Sequence, residues 1–405
     1  MNLVRAALIA LLAVLAVASP AVAQVAPTRL VLTFSWDAAP HNVSTARNLQ
    51  SLYGLYGWGV DTLFDKADLQ KDKKGMVARI VRVPLDAYVA WLVTVTGHEF
   101  GHCQQAWLGG SEDCRWISAP GPYALGHVIS IGDFDRLSPA ERQASTAGGT
   151  QASVVGADMM KRDMFLAGEA HWTTSPLLVF RQLDLPLYGL TSPSPSEAEP
   201  ADYANDMTNY ALRYGARSGQ GGEAVHRTIV HGSVWSLADP MTWIGGYNHV
   251  AGYIVRGDRT VQVPGLRFGG RTWMVTTSAW LSEVGVRKSL GVLSRGGTGD
   301  LLEVTPSWGE SQPSVSARWS HAVRPGLRAS VSGDLWRQRA AAAPGPLETG
   351  GSFGGGLSVP VGRFMIFGDA GYKSRGVMLA QPHAAGWFWS IGGGVRVGPA
   401  PPSAR

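Results

Sequence analysis

The last third of the chain alternates between apolar and polar residues, and this two-residue period constrains the fold more than any other feature of the sequence. In residues 326–336, one set of alternate positions is apolar and consists of Leu327, Ala329, Val331 and Leu335. The positions between them are polar. Similar runs cover Thr272–Leu281, Ser314–Ser320, Gly350–Val361, Arg363–Tyr372 and Gly386–Val397. Because successive side chains of a strand point to opposite faces, we predict an antiparallel β-sheet or β-barrel of about eight strands over residues 258–398.

Aromatic residues lie near the ends of several of these runs, as they do in outer-membrane barrels. They are Trp273, Trp280, Trp308, Trp319, Trp336, Tyr372, Trp387 and Trp389. Charged residues make up only 16% of the chain, and about 25% is usual in soluble proteins. We therefore expect the membrane to be a partner through this β-region. The alternative is a soluble antiparallel sheet, because alternation alone does not separate the two.

Residues 24–257 show a different pattern and are predicted to be mostly helical with long loops. One helix is predicted over Pro84–Leu108, where it ends at two glycines, and a second follows a capping box at Ser138–Glu141. Further helices are expected over Ala201–Arg213 and, with an interruption near Pro240, over Val225–Val255. The predicted fold class is α+β, with the helical region first and the sheet second.

The two termini are predicted to lie outside this fold. Residues 1–23 have a basic residue, an apolar run and a small-residue site at Ala21-Val22-Ala23, which indicates a cleaved signal peptide. The protein is then exported, to the periplasm or the outer membrane. Residues 399–405 are predicted to be a disordered tail. The net charge of +5 is spread along the chain, and no basic and aromatic pattern indicates nucleic acid as a partner.

Two histidines four residues apart, His98 and His102, lie within the predicted helix 84–108. On a helix this spacing places both rings on one face, so that both can reach one metal ion. Imidazole is a good ligand for zinc. Glu99 lies beside His98 and could take a proton from a water molecule held at the metal. The alternative is a structural pair of histidines on an amphipathic helix.

The segment His98-Glu99-Phe100-Gly101-His102 resembles the HExxH signature of the zincin metallopeptidases. The resemblance covers this helix and implies zinc as cofactor, peptide hydrolysis as activity, and a peptide or protein as substrate. The longer metzincin pattern is absent, since Gln105 and Leu108 stand where that pattern has glycine and histidine. The apolar first half of the helix is also similar to that of membrane-embedded metallopeptidases.

The third zinc ligand is left open by the sequence. In relatives whose third ligand comes from a later helix it is often a carboxylate. The second helix offers Asp158, the better ligand chemically, and Gln151, which is closer to the small residues Gly148 and Gly149. If Gln151 holds the ligand position, zinc would bind more weakly and the enzyme would be degenerate.

The chain has two cysteines, Cys103 and Cys114. Outside the cytoplasm such a close pair favours a disulfide, and two free thiols are the alternative.

These features predict a zinc-dependent hydrolase, a metallopeptidase of the outer membrane or periplasm. One alternative is a non-catalytic outer-membrane β-barrel protein with a helical plug and a vestigial or structural metal site. Another is a protein that holds zinc for structure or transport.

Overall fold

The computed structural model describes the protein in eleven stretches of the chain. They are residues 30–37, 42–69, 73–118, 127–197, 206–297, 299–309, 313–324, 327–339, 346–361, 364–379 and 384–397. The predicted signal peptide and the predicted C-terminal tail lie outside them.

A ten-stranded antiparallel sheet is the largest unit, with the strand order β1-β14-β13-β12-β11-β10-β9-β8-β7-β6. Its strands are β1 (Leu30–Asp37), β6 (Leu266–Phe268), β7 (Arg271–Ser282), β8 (Gly285–Gly296), β9 (Leu301–Trp308), β10 (Ser314–Arg324), β11 (Leu327–Arg339), β12 (Leu347–Val361), β13 (Phe364–Lys373) and β14 (Gly386–Val397). Two small sheets pair β2 (Cys114–Ser118) with β3 (His127–Ile131), and β4 (Glu169–His171) with β5 (Thr260–Gln262).

The antiparallel sheet and the α+β class agree with the prediction, but the sheet is larger than expected. Strand β1, from the region predicted to be helical, pairs with β14 along its whole length, from Leu30 opposite Val397 to Asp37 opposite Ser390. The ends of the chain that the structure describes therefore meet in one sheet.

Seven α-helices make up most of the rest of the described chain. They are α1 (Asn42–Lys66), α2 (Lys73–Leu108), α3 (Pro139–Ala167), α4 (Thr174–Thr191), α5 (Asp206–Ser218), α6 (Gly222–Ser233) and α7 (Pro240–Tyr247). A 3₁₀ segment, Val234–Ala238, precedes α7, and a π-helix, Asn248–Arg256, follows it. None of the helices in the described stretches is both long and apolar enough to cross a membrane.

Local signals account for several helix ends. Helix α3 starts with the predicted capping box, since Ser138 N donates to Glu141 Oε2 (2.7 Å) and Glu141 N donates to Ser138 Oγ (3.3 Å). It ends at Gly168, whose φ of 79° suits glycine. Helix α2 begins eleven residues before the predicted start at Pro84. The proline lies inside the helix and removes one intrahelical hydrogen bond without ending it.

The polarity of the sheet is inverted relative to that of a water-soluble protein. Large apolar residues point outward and are exposed on nine of the ten strands, among them Phe34, Trp319, Val331, Phe353, Ile366 and Trp387. The inner face carries serine and charged residues such as Glu303, Arg318 and Asp369, which line cavities of about 270 and 590 Å³ against α1 and α3. Trp280 and Trp336, expected among outward aromatic residues, are instead buried on the inner side.

Candidate functional site

The predicted motif lies in the C-terminal part of α2 and is buried. His98 is 2% exposed, Glu99 8% and His102 4%. Three elements surround it: α2 itself, α3, which crosses it, and α4, which packs against both. The site is therefore formed by packed helices and lies away from the outer face of the sheet.

Helices α2 and α3 approach each other closely at two glycines. An added Cβ on Gly101 would lie 2.3 Å from the carbonyl oxygen of Gly148, and one on Gly148 would lie 2.4 Å from the carbonyl oxygen of Gly101. Only glycine at both positions permits this crossing. The two helices therefore approach each other closely at small residues.

The two histidine rings face the same part of α3. Their centroids are 4.9 Å apart. A Cβ on Gly149 would lie 2.4 Å from His98 Nε2 and 2.6 Å from His102 Nε2. Both Nε2 atoms therefore converge on one point beside Gly149, which has no side chain to occupy it.

Hydrogen bonds at Nδ1 orient both rings. His98 Nδ1 lies 2.8 Å from Asp184 Oδ2, and His102 Nδ1 lies 2.7 Å from the carbonyl oxygen of Ser145. A carbonyl oxygen and a carboxylate only accept, so Nδ1 carries the proton in each neutral ring. The lone pair of each ring is then on Nε2, the atom that faces the point beside Gly149. Such partners at Nδ1 are typical of histidines that bind metals.

Helix α4 supports His98 through two residues one turn apart. Asp184 accepts the Nδ1 hydrogen bond, and the ring of Tyr188 stacks on the imidazole with centroids 4.8 Å apart and planes 7° apart. Neither residue is among the site residues predicted from the sequence, because α4 was not predicted. In the sequence, the one feature that could have indicated this pair is that Asp184 and Tyr188 are four residues apart, the spacing of neighbours on one face of a helix.

Of the two candidate third ligands, Asp158 makes its hydrogen bonds on the side of α3 that faces the sheet. Asp158 Oδ1 accepts hydrogen bonds from Lys161 Nζ (3.1 Å) and Ser278 Oγ (2.7 Å), and Asp158 lines the cavity against the sheet. Gln151 is 2% exposed. At 100° per residue, Asp158 lies about 180° around α3 from Gly149 and Gln151 lies about 60° from Gly148.

The fit to zinc therefore rests on two oriented imidazole ligands. Within the described residues, no group of three or more His, Cys, Asp or Glu side chains could hold a metal ion. Glu99, next to His98 in the sequence, lies about 100° around α2 from it. The donor set suits zinc, but a third protein ligand of the usual kind is not among the residues that the structure describes.

A disulfide ties the end of the motif helix to the small β2–β3 sheet. Cys103, directly after His102, is bonded to Cys114 at the start of β2, as the close spacing of the two cysteines predicted. The disulfide restrains the last turn and a half of α2. It lies next to a histidine whose orientation the site requires.

Comparison with known proteins adds nothing to this description, since no family model, curated protein or solved structure matches the chain.

Proposed function

We propose that the protein is a zinc-dependent hydrolase, a metallopeptidase that is exported and held in the outer membrane. The observation that carries the proposal is the convergence of His98 Nε2 and His102 Nε2 beside Gly149, with each ring oriented by an acceptor at Nδ1. A structural histidine pair does not require both Nε2 atoms to converge on one glycine.

His98 and His102 would hold the zinc ion, and Asp184 and Ser145 would keep their rings in the binding tautomer. The chemistry that zinc supplies when bound is Lewis-acid polarisation of a carbonyl group. Glu99 would act as the general base, taking a proton from the attacking water and passing it to the leaving amine. The proposed substrate is a peptide or protein.

The location in the membrane is supported by the inverted polarity of the sheet. In a bilayer the outward residues contact hydrocarbon, and the inner face can be polar. Exposed Phe353, Phe364 and Trp387, each more than 60% exposed, would be unfavourable in water on neighbouring strands.

Specific observations favour a second candidate, a non-catalytic barrel protein with a helical plug and a vestigial or structural metal site. The described residues offer no third carboxylate or imidazole at the histidines. In addition, neither of the two cavities against the sheet is lined by His98, Glu99 or His102.

Zinc content tests whether the histidines hold a metal ion, and it separates the proposal from a plug whose site is vestigial. We would measure zinc per chain for the folded wild type and for the variants His98→Ala and His102→Ala. The matched control is His231→Ala, because His231 is exposed on α6. We expect about one zinc in the wild type and the control, and its loss in the two site variants. A folded wild type without zinc would contradict the proposal.

Hydrolysis of a peptide library then tests catalysis. Glu99→Gln should keep its zinc and lose activity by roughly 10²- to 10⁴-fold, the usual contribution of a general base. If Glu99→Gln hydrolyses peptides as fast as the wild type, Glu99 is not the general base. If the zinc-loaded wild type shows no hydrolysis, the zinc site is structural.

A further inference from the structure

The first part of the motif helix has the same inverted polarity as the sheet. In residues 77–86 of α2, the exposed side chains are apolar, and the large ones are Val77 (55%), Ile80 (51%), Val81 (75%) and Leu85 (50%). The charged residues of the same stretch are turned inward. Arg79 and Asp86 are each 1% exposed, and the side chain of Arg82 is 11% exposed.

The inward charges form a paired network. Arg82 Nε donates to Asp86 (3.0 Å), Arg82 Nη2 donates to Tyr253 Oη (2.7 Å), and Tyr56 Oη donates to the same carboxylate. Arg79 donates to the carbonyl oxygens of Ile254 and Leu69, at 3.1 Å each. This arrangement is unfavourable in water, because the buried charges lose their hydration and the exposed apolar groups remain in contact with water.

Two neighbouring helical segments carry exposed apolar stripes of the same kind. On α1 the stripe consists of Leu52, Leu55 and Leu63, and on α7 and the π-helix it consists of Trp243, Tyr247, Val250 and Val255. The members of the first stripe are three and eight residues apart, and those of the second are four, three and five residues apart. Each stripe therefore lies on about one side of its helical segment.

Helix α1 also covers the free edge of the sheet at β1. Thr33 N donates to Ser51 Oγ (2.9 Å), Ser35 N donates to Asn48 Oδ1 (2.8 Å), and Asn48 Nδ2 donates to Ser35 O (3.0 Å). Side chains of α1 thus take the place of a further strand.

The part of β7 that extends beyond its pairing with the short end strand β6 is covered in the same way. Lys161 Nζ and Gln182 Nε2 donate to Thr277 O at 2.9 and 2.8 Å, and Ala279 N donates to Ser236 Oγ at 3.1 Å. Backbone groups at an open edge must be hydrogen-bonded within the protein before that edge can enter hydrocarbon. Edge groups of β1 and β7 meet this requirement through helical segments.

We propose that lipid acyl chains cover the exposed faces of α1, α2 and the α7–π-helix segment, so that these helices complete the wall that the sheet leaves open. The inference rests on the proposed membrane location and extends it from the sheet to the helical region. The occupant is lipid because α1 packs on β1 and α7 packs on β7, so that their exposed apolar faces adjoin the outward apolar face of the sheet, on which Phe34 of β1 is 59% exposed.

The motif helix would then enter the bilayer at one end and carry His98 at the other. Leu85 and His98 are thirteen residues apart, about 20 Å along a helix. The buried site would then lie more than three helical turns from the lipid-facing residues of its own helix.

Spin labels in reconstituted protein test the proposal. Single cysteines would replace Leu63 on α1 and Val81 on α2. The control for lipid exposure is Val331→Cys on the outer face of β11. The control for water exposure is Arg227→Cys, because Arg227 is exposed on α6. The native Cys103–Cys114 disulfide leaves both of its sulfur atoms unreactive in the absence of reductant. Each label, in phosphatidylcholine vesicles, is then exposed to oxygen, which concentrates in lipid, and to a water-soluble nickel chelate.

We expect the labels at Leu63 and Val81 to show the high oxygen and low nickel accessibility of the label at Val331. Helix labels that behave like the one at Arg227, or that are shielded from both reagents, would overturn the helical wall while leaving the sheet in the membrane. A nickel-accessible label at Val331 would overturn the membrane location together with this inference.

Discussion

At the scale of single residues, the site depends on Asp184, which holds His98 from a different helix (2.8 Å). Asp184→Asn keeps the size of the side chain and removes its charge. We expect zinc affinity to fall roughly 10- to 100-fold, the usual effect of losing such a partner. Competition with a chromogenic chelator measures it. Asp158→Asn is the matched control, because this residue lies on the far side of α3; equal affinities in both variants would contradict the assignment.

Gly149 provides a second test at this scale. A Cβ at this position would lie 2.4 and 2.6 Å from the two Nε2 atoms, far inside van der Waals contact. Gly149→Ala should therefore displace the rings and abolish stoichiometric zinc binding. Gly59→Ala on α1 is the control, since nothing lies within 4 Å of its added methyl group. That variant should keep its zinc and gain up to about 1 kcal/mol in stability.

At the scale of elements, the disulfide joins the end of α2 to β2 across a sequence separation of 11 residues. Replacing both cysteines by alanine should lower the free energy of unfolding by about 2–4 kcal/mol, because the unfolded chain gains freedom. Denaturant titration measures the change. A reducing agent should have a similar effect on the wild type and none on the double variant. A double variant with the same free energy of unfolding as the wild type would show that the disulfide does not stabilise the protein.

Elements with strong local signals could be predicted from the sequence. The capping box placed the start of α3 correctly, and period-two runs located β7, β10, β12, β13 and β14 to within a few residues. The glycine pair placed the end of α2 at Leu108. Each of these signals depends on only a few neighbouring residues, so it can be interpreted without knowledge of the tertiary fold.

Elements that depend on distant partners could not be predicted in this way. Strand β1 is short, and what makes it a strand is β14, more than 350 residues later. The link between His98 and Asp184 spans 86 residues. The expected ligand role of Asp158 rested on its chemistry, whereas its contacts with Lys161 and Ser278 are set by the packing of α3 on the sheet.

At the scale of the whole molecule, the inverted sheet predicts opposite outcomes for neighbouring positions on β11. Val331 points outward and is 56% exposed, whereas Ser332 lines the inner cavity. Val331→Arg should destabilise the protein in vesicles by about 2–4 kcal/mol, the cost of an arginine on a lipid-facing strand. Ser332→Arg should be tolerated far better. The folded fraction after reconstitution measures both, and the reverse order would contradict the proposed orientation.

The pairing of β1 with β14 also has a consequence for the kinetics of folding. A contact between Leu30 and Val397 closes a loop of nearly the whole described chain, and loop closure of this kind is slow. Strand β1 must remain unpaired on that side until β14 has been synthesised and has docked on β13. Completion of the sheet therefore waits for the synthesis of β14, and until then the exposed strands are prone to aggregation.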